Sequence, residues 1–159
     1  MQKQETKEAQ TLQLSGDKPN KEKKCSELVD KKYRERLEEF KKAQSFLNID
    51  KETRDQVEDF LDAEFSEMHD TADNFFDYAN QAGLCFDYVE AGTFKDQRAG
   101  YYRWQLSYGG PSEEFRLYEN GDLEYWFLDW FDGACVTVTD DVFIDLMNEF
   151  KDLSPRQDQ

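Results

Sequence analysis

The period of the apolar residues changes at Gly83, which restricts the chain to helices followed by a sheet. Before Gly83, bulky residues recur every three or four positions. Leu28, Tyr33, Leu37, Phe40, Phe46 and Leu47 mark one helix, with Ser26 as its N-cap and a stop near Asn48. Lys31, Lys32, Arg34, Glu35, Glu38 and Glu39 fill its other face. Val57, Phe60, Leu61, Phe65, Met68, Ala72, Phe75, Phe76 and Ala79 predict a second, longer helix, running from Asp50 to about Ala82 and capped by Gly83. The short link between the two predicts an antiparallel helical hairpin.

After Gly83 the repeat becomes two. Phe86 and Tyr88 start a short strand, and Tyr101–Tyr108 alternates bulky and polar residues. Gly109-Gly110-Pro111 reads as a turn, Phe115–Tyr118 as a strand and Asn120-Gly121 as a hairpin signal. Leu123–Trp130 and Ala134–Val138 follow as strands, parted by a turn at Asp132-Gly133. Thr139 or Asp140 then caps a helix built on Val142, Phe143, Leu146, Met147 and Phe150. The predicted class is α+β: a helical hairpin, an antiparallel four- to five-stranded meander and a C-terminal helix. Residues 1–24 and 154–159 read as tails, the first disordered, with the hairpin over 25–82 and the sheet with its helix over 83–153.

Charge narrows the function. Net charge is −16, divided unevenly: residues 1–44 hold 12 basic and 9 acidic side chains, residues 45–159 hold 8 and 27. The excess therefore belongs to the folded body. Thirteen Phe, eight Tyr and three Trp give that body enough apolar area to fold despite its charge. Three widely spaced cysteines, Cys25, Cys85 and Cys135, and an N-terminus without an apolar core point to a reducing, cytoplasmic setting. An acidic body without a long apolar stretch predicts no membrane partner.

From Asp55 to Phe94 there is no Lys or Arg, and eleven carboxylates. On one continuous helix, Asp55, Asp59, Asp62, Asp70, Asp73 and Asp77 would fall on a strip about 80° wide and about 33 Å long, opposite the apolar face. Like charges at this spacing weaken a helix, and Asp is a poor helix former. A strip held at that cost reads as a binding face for a basic partner. Lacking Lys and Arg, it is unsuited to bind nucleic acid directly.

The second half is rich in rings. The alternation of Leu123–Trp130 puts bulky side chains on both strand faces, so Trp126, Trp130 and Tyr118 are candidate partner anchors within an acidic rim that includes Glu113 and Glu114. Two strings here, GGPSEEFR from Gly109 to Arg116 and EYWFLDWFDGA from Glu124 to Ala134, resemble a motif pair in small acidic proteins of phages, plasmids and other mobile elements. The resemblance covers about a third of the chain and implies an accessory role for a mobile element, such as an anti-CRISPR or anti-restriction DNA mimic. It carries over no catalytic residue.

The residues of common catalytic and metal sites are missing. His69 is the sole histidine, its position predicts a half-buried helix residue, and Ser66 stands where a di-iron Glu-x-x-His motif needs Glu. There is no C-x-x-C, and Gly109-Gly110-Pro111 lacks the Lys of a phosphate loop. The sequence thus predicts a non-enzymatic inhibitor without cofactor. It would mimic nucleic acid and occupy the basic channel of a nucleic-acid-binding effector complex. The alternative is an acidic module that binds a basic protein without mimicry.

Overall fold

The computed structural model describes residues 24–155, so the two tails read from the sequence fall largely outside it. Within this range the class is α+β, as the change of period requires. Helix α1 spans Cys25–Leu47. Three short helices follow, α2 (Lys51–Gln56), α3 (Ala63–Thr71) and α4 (Phe75–Ala82), with a 3-10 turn at Glu58–Phe60. Strands β1 (Cys85–Val89), β2 (Tyr101–Ser107), β3 (Ser112–Tyr118), β4 (Leu123–Asp129) and β5 (Asp132–Thr137) form one antiparallel meander in chain order. Helix α5 (Asp141–Leu153) closes the domain. None of the described helices is long and apolar enough to cross a membrane.

Helix α1 crosses the sheet diagonally, and its contacts trace the path. The Cys25 amide donates to Asp132 on β5, Tyr33 packs on Tyr125 of β4, Arg36 pairs with Glu113 of β3, and Phe40 meets Trp104 of β2. The N-terminus differs from the Ser26 cap that the sequence predicts. The N-cap is Lys24, two residues earlier, and the side chain of Asp132 satisfies an amide that no local side chain caps. Phe40 is fully buried among the rings of Phe75, Tyr78, Trp104 and Phe143. It is the junction of helices and sheet, and cutting it to Ala should cost about 3–5 kcal/mol.

The inner sheet face follows the alternation: Tyr102, Trp104, Leu106, Phe115, Leu117, Leu123, Tyr125 and Phe127 are buried against α1, α4 and α5. Asp140 stands at the N-cap of α5 but makes no capping bond, because its carboxylate accepts the Tyr33 hydroxyl at 2.5 Å. The Asn120-Gly121 turn is a four-residue loop, with Gly121 at φ 97° and the Asn120 side chain accepting the Asp122 amide.

The predicted helix over Asp50–Ala82 is the main departure. It is interrupted at Val57–Asp62 and again at Ala72–Asn74, so the hairpin partner of α1 is a chain of short elements. Thirty-three residues of straight helix would reach about 50 Å, far beyond a domain of this size. The breaks let α3 and α4 turn back onto α1. Met68 and Ala72 then close a small second core with Ala43, Phe46 and Leu47, and Phe65 packs on Phe46 at 4.8 Å.

Candidate functional site

The interruptions are written in the side chains that make them. Asp50, Asp62 and Asn74 each accept the amide three residues on, so each starts a new helix. A cap of this kind contributes about 1 kcal/mol, whereas Asp inside a helix adds only repulsion from its neighbours. Between the caps lies Arg54, 1% exposed. Its Nε donates to the Ile49 carbonyl at 2.8 Å, one Nη to His69 Nδ1 at 3.0 Å and the other to the Asp73 carbonyl at 2.9 Å. The Asp73 carbonyl is free to accept because the helix breaks there. Arg54 thus ties the α1–α2 link, α3 and the α3–α4 break into one corner, and lies over the Phe46 ring.

His69 is buried at 6% and completes a relay. Arg54 can only donate, so Nδ1 must accept and Nε2 carries the hydrogen. That hydrogen points at Asp55 Oδ1, 2.8 Å away. Asp55, Glu58 and His69 bring ligand atoms within 4.8 Å of one another, a spacing a metal ion can use. The tautomer argues against one: Nε2 has no lone pair to offer while Arg54 holds Nδ1.

With the helix broken, the six Asp residues do not form one strip. Asp55 is committed to His69, with Lys51 at 3.8 Å. Asp62 caps α3, and Asp77 accepts the Asp73 amide at 3.0 Å. Asp59, Asp70 and the Asp73 carboxylate stand exposed without an ion pair among the described residues, as do Glu58 and Glu67. Val57 and Phe60, expected in the apolar stripe, face outward because the 3-10 turn rotates them off the core, leaving Phe60 87% exposed beside Asp59. The corner therefore presents loose carboxylates and one aromatic side chain.

The sheet treats its carboxylates differently. Glu113 is part-buried and takes two bonds from Arg36, at 2.8 and 3.1 Å, and one from the Tyr125 hydroxyl at 2.7 Å. Burial pushes its pKa up, but these donors outweigh burial and hold it below the usual carboxylate range. Glu114 is 3% exposed and bound to Arg116 at 2.6 Å. These two residues, predicted to form an acidic rim, are structural pairs: α1 lays Arg36 against Glu113, and Arg116 stands two residues along β3 on the same face as Glu114. Trp126 is likewise held: Arg116 lies 4.0 Å from its ring centre, and its indole N–H donates to Glu124 at 2.9 Å.

Trp130 is the exception. It leaves β4 for the β4–β5 turn, is 89% exposed, and has φ 55°. Left-handed backbone at a bulky residue costs on the order of 1–3 kcal/mol, where Gly would be relaxed. Phe131 beside it is fully exposed, and Tyr108 in the β2–β3 turn is 79% exposed. Ser112 pairs with Leu128, so the two strings of the mobile-element resemblance lie side by side and end in this aromatic turn region.

The cysteines are quiet. Burial first, then Asp132, pushes the Cys25 thiol up to about 12, and burial pushes Cys135 to about 11. Sequence reasoning overlooked Arg54, Phe60 and Phe131. The signal for Arg54 was its place as the last cation before a long anionic run. Asp62 and Asn74 were readable as caps inside the supposed helix. Comparison with protein families, curated proteins and solved structures returns no match.

Proposed function

We propose that the protein is a non-enzymatic inhibitor that sets its acidic corner into a basic groove, one that otherwise holds DNA or RNA in a restriction or CRISPR-type complex. The observation that supports this best is the set of exposed carboxylates of Glu58, Asp59, Glu67, Asp70 and Asp73, unpaired among the described residues, on one segment with exposed Phe60. An uncompensated anionic surface accelerates encounter with a cationic one, and an aromatic side chain within it supplies the desolvated anchor that charge alone lacks.

One observation favours a second reading. The carboxylates are spread over α2, the 3-10 turn, α3 and α4, so they do not repeat at a regular phosphate-like spacing. The partner is then a basic protein bound away from its nucleic-acid site. Affinity capture from host lysate at low salt, with Asp59→Lys/Glu67→Lys/Asp70→Lys as control, separates the readings. Inhibition by mimicry requires that the triple variant captures nothing and that added DNA elutes the partner. Elution by salt but not by DNA selects the second reading. A complex that survives about 1 M NaCl, where screening acts within about 3 Å, removes both.

A further inference from the structure

The outer face of the sheet carries a feature of the opposite charge. The loop after β1 runs from Glu90 to Gly100 and folds back on itself. Gln97 braces it by accepting the Phe94 amide at 3.0 Å and donating to the Ala99 carbonyl at 2.8 Å. Between this loop and strands β2 to β4 lies a cavity of about 480 Å³. Lys95, Arg98 and Arg116 line it, against Asp96 as the one carboxylate in its wall. Lys95 and Arg98 form no ion pair among the described residues, so their charge is uncommitted. On a chain of net charge −16, cations left over around a cavity are out of keeping with the surface around them.

Four rings, Phe94, Tyr101, Tyr118 and Trp126, make up most of the rest of the wall, with Gln97 and Ala99. Trp126 is fixed by its bond to Glu124 and by Arg116 across its ring. Tyr118 is fixed by its own bond to Glu124 at 2.9 Å. Tyr101 is 2% exposed, and its hydroxyl is a buried group with no hydrogen-bond partner among the described residues. Such a group is rare and calls for an acceptor. Asp96 holds the loop with φ 63°, a left-handed conformation at a non-glycine residue. Volume, rings and a few polar groups together match a small-molecule site.

We propose that this cavity binds a small anion carried on a flat ring. The ring stacks in the aromatic wall, and the phosphate or carboxylate meets Arg98 and Lys95. The Tyr101 hydroxyl donates to an acceptor on the ligand. The site is independent of the acidic corner, so either can fail without the other.

Titration calorimetry on the whole chain tests it with four probes: adenosine monophosphate, benzoate, adenosine and inorganic phosphate. The expected result is one saturable site for adenosine monophosphate or benzoate below about 1 mM. Adenosine and phosphate alone should bind at least roughly tenfold more weakly, since each keeps half of the recognition. Lys95→Ala/Arg98→Ala, both on the exposed loop, should weaken binding roughly tenfold or more. Tyr101→Phe should weaken it several-fold with the ring still in place. No saturation by either ringed anion, phosphate binding as tightly as adenosine monophosphate, or unchanged affinity in the double variant overturns the proposal.

Discussion

The corner between Asp50 and Ala82 and the sheet between Cys85 and Thr137 are both rich in acid, and they use it in opposite ways. In the sheet, Asp87, Glu113 and Glu114 are gripped by Arg103, Arg36 and Arg116, and Glu124 accepts from Tyr118 and Trp126. In the corner, Asp50 and Asp62 serve backbone amides, Asp55 serves His69, and the carboxylates of Glu58, Asp59, Glu67, Asp70 and Asp73 serve nothing among the described residues. The corner's one buried cation, Arg54, spends its donors on two carbonyls and an imidazole, not on a carboxylate. Net charge counts both sets alike. Only the second is available to a partner.

The comparison can be broken most severely at Arg54. Arg54→Ala should cost about 3–5 kcal/mol, because the buried His69 imidazole and two part-buried carbonyls lose their donor at once. Urea unfolding measures the loss. Exchange protection should drop first in residues 50–82 while the sheet amides keep theirs. If both regions lose protection equally, the corner is not a separate unit.

Glu113→Gln probes the sheet's use of acid and should cost about 1–3 kcal/mol by weakening the grip of Arg36 and Tyr125. It also carries a pH signature. The folded carboxyl is held below its unfolded value, so its contribution is present above the ordinary glutamate range, near pH 4.3, and fades as pH falls through the lower folded value. Thermal melts from pH 6 down to 3 should show the wild type losing more of its advantage over Glu113→Gln the lower the pH.

Trp130→Gly should act in the other direction, gaining roughly 1 kcal/mol by relieving left-handed backbone at a bulky residue. A loss of stability would mean that the exposed ring makes a contact worth more than the strain. The smallest expected change in stability is at the corner surface. Asp59→Lys and Asp70→Lys should each move it by no more than about 0.5 kcal/mol, since neither side chain holds anything among the described residues, while removing partner capture. An equal pair of reversals at Glu113 and Glu114 should unfold the sheet before it says anything about binding.

Cys25 marks one end of α1 beside the aromatic turn of Trp130, and Leu47 marks the other beside the acidic corner. The two surfaces are thus separated by about 34 Å, the length of α1. The sequence offers both Trp130 and the Asp residues as partner-binding candidates. The structure sets them at opposite ends of α1, and point substitutions at one should leave the other's binding unchanged.

The strands were legible because a meander rewards local pattern. Neighbours in sequence are neighbours in space, and alternation alone assigns Tyr102, Trp104, Leu123, Tyr125 and Phe127 to the core. The helical half was legible only in part. An apolar stripe from Val57 to Ala79 is the same whether the helix runs on or is cut and refolded, and a wheel drawn through a cap assigns a false face to everything after it. That is why Phe60 was expected inside and stands outside, and why six Asp residues on one strip became caps, a relay and loose charges.

By itself the sequence determined the class of fold, the order of its elements, the inner face of the sheet and a surplus of negative charge in the body. These follow from period, turn chemistry and counting, which need no partner elsewhere in the chain. Tertiary structure alone decided which carboxylates are free. That depends on which arginines the packing delivers to them and on where the helix breaks, which turns Asp62 into a cap. Arg36 reaches Glu113 across 77 residues, and Arg54 reaches His69 across 15. Among the described residues, no such amide, arginine or imidazole is delivered to Asp59 or Asp70.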